Sequence, residues 1–292
     1  MNWFFAPVPL GRVAALRTLA YAFVPIDLFL LTPWVLDHKD VPGDLYRPLL
    51  IGRLLHLPTP SYWLVVGVCV ALTACALVAA TGRAPRLLGV AVFVLYFEWM
   101  IVAMSYGKVD HDRVGYLVLL AVLPTIGRAR WGDTETLSER AGWAMRVTQI
   151  AVVCTYFLAA WAKLRFGGIE WLNGATLTRA VLRRGTFLSD WTVHVPYLLV
   201  AFQWFIVAFE LSSPVVLFIR NERLRTFVIG GFYAFHAMVF GTITIAFWPH
   251  LVAMASFLPL ERVRPIVWVR TRLQRRGWLQ LRNVEVSGPR SP

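Results

Sequence analysis

Lys163 is the residue whose type and setting point most directly to chemistry. It closes the apolar run Gln149-Ile-Ala-Val-Val-Cys-Thr-Tyr-Phe-Leu-Ala-Ala-Trp-Ala-Lys163, and of the three lysines (Lys39, Lys108, Lys163) it alone lies in such a run. A charge at the centre of a bilayer costs about 2.5–3.5 kcal/mol on insertion scales, so charges kept in apolar segments are functional or lie near an interface. Gln149, Tyr156 and Lys163 are spaced seven apart. A straight helix drifts only about 20° per seven residues, so these polar groups share one helical face. Desolvation penalises an ammonium and makes a lysine amine available as a base. The structural alternative is a lysine one turn from its helix end that snorkels to the interface.

Five more ionisable groups fall in apolar segments: Arg17, Asp27, Glu98, Glu210 and His236. That is many for a purely structural bundle and suggests a polar cavity or pathway. Each also has a structural role open to it. Arg17 can snorkel, and Asp27 can pair with another helix. Glu210 precedes Leu-Ser-Ser-Pro214 and can serve backbone groups freed by that proline. His236 can hydrogen-bond between helices. His111 stands between Asp110 and Asp112 as an acid–base group, a metal ligand or a solvated loop histidine. No other ligand pair has zinc-like spacing, so no metal is assigned. No phosphate-cradling glycine loop, nucleophile elbow or dinucleotide fingerprint is present. Cys69, Cys75 and Cys154 lie in apolar runs without a Cys-x-x-Cys pattern and read as packing residues.

The elements that must position these groups are membrane helices. The chain is 58% hydrophobic, with a mean hydropathy of +0.61. Several apolar runs approach 20 residues and lack the period-2 alternation of barrel strands. The expected fold is therefore an all-α, polytopic transmembrane helical bundle. The runs are 13–36 (kinked at Pro25), 61–80, 87–106, 114–126, 142–164 and 196–219, followed by 226–260 read as two helices turning near Gly241 to Thr244. Trp171 to Arg184 sets an apolar stripe against Arg179, Arg183 and Arg184, as expected of a helix lying on the membrane surface. Met1 to Gly11 lacks the basic start and cleavage site of a signal peptide.

About eight crossings result, and charge orients them. The N-terminal segment, the turns after the second, fourth and sixth runs, and the tail hold twice as many Lys and Arg as the opposite loops. The positive-inside rule then puts both termini in the cytoplasm, with His111 and Lys163 at the outer face. The net charge of +13 owes much to the eight arginines after Glu261. A basic tail beside anionic lipid accounts for them, and no recognition motif supports nucleic-acid binding.

The run Gln149…Tyr156-Phe-Leu-Ala-Ala-Trp-Ala-Lys163-Leu…Trp171-Leu-x-Gly174 resembles the signature of the HTTM domain, the membrane part shared with vitamin K-dependent gamma-glutamyl carboxylase. Leu16-Arg17 with Asp27, His111…Tyr116-Leu, Phe209-Glu210-Leu-Ser-Ser-Pro214…Arg225 and Phe235-His236 follow in the family's order. The resemblance covers residues 10–262 as an HTTM-like transmembrane domain and leaves 263–292 as a basic cytoplasmic tail. It implies that Lys163 is the base that starts oxidation of a reduced, vitamin K-like quinone. It also implies a histidine before the fourth span. His111 is the histidine that stands there, although alignment on Tyr116-Leu117 puts Val114 at that position. The carboxylase binds its peptide through a large luminal domain after the spans, for which the short tail is no counterpart.

The expected protein is thus a multi-pass cell-membrane protein. Lys163 and His111 are its catalytic candidates, and Gln149, Tyr156, Arg17, Asp27, Glu98, Glu210 and His236 are its ligand-pocket candidates. Its partners are the lipid bilayer and a quinone or peptide ligand. Two other functions stay open: a non-enzymatic helper for maturation or export of a secreted peptide, and a proton-coupled transporter using Glu98, Glu210 and His236. The transporter would show inverted repeats, and the sequence has no convincing one.

Overall fold

A computed structural model describes residues 3–263, so the basic tail expected at 263–292 lies, but for Val263, outside the described residues. Among the described residues the regular structure is helical apart from one two-residue antiparallel pair, β1 (Val8–Pro9) with β2 (Leu137–Ser138). Ten α-helices follow in order: α1 Leu10–Ile26, α2 Leu50–Leu54, α3 Tyr62–Ala80, α4 Leu87–Met104, α5 Val114–Val122, α6 Glu139–Gly167, α7 Ala175–Arg184, α8 Leu198–Ser212, α9 Glu222–Ile243 and α10 Trp248–Met254.

Among the described residues six helical segments are long and apolar enough to cross a bilayer: α1 with its π turn (Leu10–Leu31), α3, α4, α6, α8 with its 3-10 extension (Leu198–Phe218) and α9. Their outward faces stay apolar, with Leu30, Val70, Leu87 and Phe227 all largely exposed. A surface of that kind is stable in lipid and not in water, so the chain is an integral membrane protein. The other two expected crossings are short. α5 stops at Val122 because Pro124 has no N–H to donate, and the chain tightens into a 3-10 turn, Leu123–Ile126. Tyr116, Leu119 and Leu120 are fully buried, so neighbouring helices enclose α5. α10 is likewise short, with Ala253 and Met254 fully buried.

Local chemistry sets the helix bounds. The first span ends earlier than its apolar run. Thr32 turns back on the Asp27 carbonyl, donating to it from its backbone N–H at 2.7 Å and from its hydroxyl at 2.9 Å, and Pro33 follows. Serine hydroxyls cap α3 (Ser61 to the Leu64 N–H) and α6 (Ser138 to the Ala141 N–H), while the Asn221 side chain caps α9. Glycine at 142 lets α6 cross the N-terminal segment, because a Cβ there would strike the Ala6 carbonyl.

Small residues on α3 (Ala76, Ala79) let it lie close against α1 and α4. A polar knot ties the centre of the bundle. Asp27, fully buried, accepts from Arg113 Nη1 at 2.6 Å and from the Tyr96 hydroxyl at 2.8 Å. Trp99 Nε1 donates to Thr32 Oγ1 at 3.1 Å. A second tie joins the start of α1 to the end of the described chain. Arg12 forks onto Glu261 at 2.7 and 2.8 Å and also reaches Glu222.

Candidate functional site

α6 carries three polar groups on one face, and the structure gives each a partner from another helix. At its lower end, Gln149 Nε2 donates to the Ser256 carbonyl at 2.9 Å, and its Oε1 accepts from Arg146 at 2.7 Å. Two turns on, the Tyr156 hydroxyl meets Nε2 of His236, on α9, at 2.5 Å. Which of them donates depends on the imidazole tautomer. Two turns further, Lys163 Nζ donates to both oxygens of Glu210, on α8, at 2.5 and 2.6 Å.

The Lys163 end is built with care. Gly168, at φ 61°, ends α6 and turns the chain into the 3-10 turn Ile169–Leu172. Gln203 of α8 donates to the Trp171 carbonyl and anchors that turn. Trp171 is thereby held over the lysine, with Nζ 5.2 Å from its ring centroid. The Lys163 side chain is one-quarter exposed and Glu210 only 11% exposed, so the pair forms an edge of the site that opens outward.

Inward from the pair lies an aromatic and histidine cluster. His250, at the start of α10, packs edge-on against Tyr156 with ring centroids 4.7 Å apart, and stands 5.7 Å from His236. Phe209, Phe232 and Phe247 close the space around these rings. His250 is 1% exposed, yet neither of its ring nitrogens makes a hydrogen bond among the described residues; nor does His236 Nδ1. A neutral imidazole carries one donor and one acceptor, and burying them unpaired costs free energy. Such orphaned groups suit the polar atoms of a ligand. Exposed His111 lies in the 3-10 turn His111–Arg113, which packs against α10, the helix that carries His250. In the adjoining loop, burial pushes the Asp112 carboxyl above its usual range, against the pull of Arg113.

Tyr156, Lys163, Glu210 and His236 therefore form one constellation, with His111 at its rim and Gln149 further down the same helix face. Asp27 is instead committed to Arg113 and Tyr96. Glu98 lies within electrostatic range of Tyr46, and its Oε1 has no hydrogen bond among the described residues. Arg17 donates to backbone carbonyls at the opposite, arginine-rich end. Sequence reading passed over His250 and Trp171's place above the lysine. A histidine in the run Trp248-Pro249-His250-Leu-Val was the available signal for the first. The sequence offered no signal for the second, which depends on the fold of the 168–172 turn.

Among the described residues no group of three His, Cys, Asp or Glu side chains could hold a metal ion. A cleft of about 720 Å³ opens one turn past Trp171, between α7 and the start of α8, with Arg179 and Arg183 in its wall. No protein-family model, curated protein or solved structure matches the chain.

Proposed function

We propose that the chain is a multi-pass cell-membrane protein of the HTTM, carboxylase-like class, with both termini cytoplasmic, and that Lys163 is its base. The ligand is amphipathic and carries an ionisable hydroxyl, of which a reduced, vitamin K-like quinone is the form the resemblance implies. The observation that carries this is the Lys163–Glu210 pair, 2.5–2.6 Å apart, set beside a tyrosine and two buried histidines.

One proton is held between Nζ and the Glu210 carboxylate. When it rests on Glu210, Lys163 is a neutral amine able to accept a proton from a bound hydroxyl. The ammonium that forms faces the Trp171 ring, 5.2 Å from its centroid, and Glu210 releases its own proton to the solvent at the exposed edge of the pair to become the carboxylate that holds it. The ring nitrogens of His250 and Nδ1 of His236, orphaned and buried, would hold the ligand's oxygens. Phe209, Phe232 and Phe247 offer flat apolar surfaces to its ring. A reduced quinone supplies the electrons and the acidic hydroxyl when bound.

The test is turnover. Purified protein with a reduced quinone and dioxygen forms epoxide or oxidised quinone, and Lys163→Ala abolishes it. Equal turnover in both refutes the base assignment. A peptide helper is the rival, favoured by the cleft between α7 and α8 with its two arginines. Quinone inertness of the wild type, together with retention of an acidic peptide, would decide for it.

A further inference from the structure

Arg17 is a buried cation that meets no acid among the described residues. It is 2% exposed and lies two turns into α1. Its Nη2 donates to the Gly127 carbonyl at 2.7 Å and reaches the Leu123 carbonyl at 3.5 Å. Its Nε makes no hydrogen bond among the described residues. Among the described residues its hydrogen-bond partners are backbone carbonyls, and no carboxylate pairs with it. Two carbonyl dipoles do not neutralise a guanidinium, and a charge buried away from water is costly until an opposite charge meets it.

The same side chain lines a cleft of about 570 Å³ between the α3–α4 turn and the segment after the 3-10 turn at Leu123–Ile126. Arg83, Arg128 and Arg130 line it too, and among the described residues no Asp or Glu does. Asp133, the acid that acts on Arg130, already accepts from the Thr136 backbone N–H at 2.9 Å. A neighbouring cleft of about 450 Å³ shares Arg128 and adds Arg86. Gly127, at φ 79°, makes the turn that aims its carbonyl at Arg17. Four cations thus converge on one cleft, one of them buried and short of partners.

Guanidinium groups bind phosphate oxygens in forked, bidentate fashion, which makes an arginine cluster suited to a phosphate. The cleft also sits where a lipid headgroup would be. It lies at the end of α3 and the start of α4, both spanning helices. Trp131 hangs over it with its indole N–H on Thr18 Oγ1 at 3.1 Å, in the manner of an interfacial aromatic anchor. Leu87, largely exposed, lines the neighbouring cleft and offers acyl chains an apolar wall.

We infer that this cleft binds a phosphate-bearing anion, delivered as the headgroup of an anionic phospholipid in the adjoining leaflet. The site is separate from Lys163 and does not depend on the function proposed for it. Arg17 is its buried floor, and Arg83, Arg128 and Arg130 form its exposed rim.

Native mass spectrometry of the full chain, released from micelles containing phosphatidylglycerol, phosphatidylcholine or soluble glycerol phosphate, tests this. Wild type retains phosphatidylglycerol in preference to phosphatidylcholine. The rim variant Arg83→Gln/Arg128→Gln/Arg130→Gln, which leaves buried Arg17 in place, binds phosphatidylglycerol about a hundredfold more weakly. Arg53→Gln/Arg165→Gln/Arg184→Gln, which removes three exposed arginines elsewhere, retains it. Equal retention of the two lipids, or equal loss in both variants, overturns the site. Glycerol phosphate bound as tightly as the lipid would keep the phosphate chemistry and overturn the lipid as its source.

Discussion

Replacing Lys163 by methionine should cost more stability than replacing Glu210 by glutamine, and the two losses should not add. The Glu210 carboxyl is 11% exposed while the Lys163 side chain is 25% exposed. Removing the partner of a buried ion pair costs about 3–5 kcal/mol, because the remaining charge is left uncompensated. For Lys163→Met the stranded group is the deeper carboxylate, so a loss of about 3 kcal/mol is expected. Glu210→Gln leaves a lysine one turn from its helix end with a flexible stem. It can snorkel outward or shed its proton, so a loss of about 1–2 kcal/mol is expected. The double variant strands nothing and should lose less than the sum, with a coupling of about 1.5 kcal/mol or more. The assay is unfolding of wild type, both single variants and the double variant in lipid nanodiscs, by denaturant or heat. The coupling should persist at high salt, because partly buried pairs are weakly screened. Additive losses to within about 0.5 kcal/mol would mean that Nζ and the carboxylate do not meet in the membrane.

The central knot makes a similar demand. Arg113→Met leaves fully buried Asp27 without its cation and should cost about 3–5 kcal/mol, of which Asp27→Asn in the same chain restores part; a loss below about 1 kcal/mol in the unfolding assay would refute that pairing. Asp112 gives a pH dependence. Burial raises its carboxyl in the folded state, so its contribution to stability is fully present below the ordinary carboxylate range and is lost as pH rises through the raised value. Asp112→Asn removes that penalty, so its melting temperature should exceed wild type at pH 7 and the gap should close towards about pH 4; a gap that widens on acidification contradicts the sign.

Hydropathy made the fold class legible, because apolar residues all round a long helix leave lipid as the only stable surroundings. Helix ends were less so. The first span stops at Leu31 rather than Leu36 because Thr32 folds back on Asp27, a side-chain event that hydropathy does not register. Periodicity placed Gln149, Tyr156 and Lys163 on one face, and the structure gives that face three partners. It could not say which acid Lys163 would meet, since Glu98 and Glu210 look alike in sequence and differ only in where α4 and α8 pack. Arg113 follows the Asp110-His111-Asp112 loop in sequence, yet it reaches inward to Asp27 because the 3-10 turn His111–Arg113 directs it there.

How completely each buried polar group is paired separates structural roles from chemical ones. Asp27 accepts from both Arg113 and Tyr96, and the paired Arg12 and Glu261 tie the start of α1 to the end of the described chain. Groups so fully engaged hold helices in register and have little capacity left for a ligand. His250 and His236 are different, with three of their four ring nitrogens unpaired among the described residues. Arg17 differs in the same way, with a buried guanidinium that meets carbonyls and, among the described residues, no acid. Lipid supplies no hydrogen bonds to make up such deficits, so inside a membrane protein an incomplete pairing is costlier than it would be beside water. Two of the places that carry this cost lie near opposite ends of the spans. One is lined with histidines and aromatic rings and the other with arginines, so the two proposed sites use different side chains.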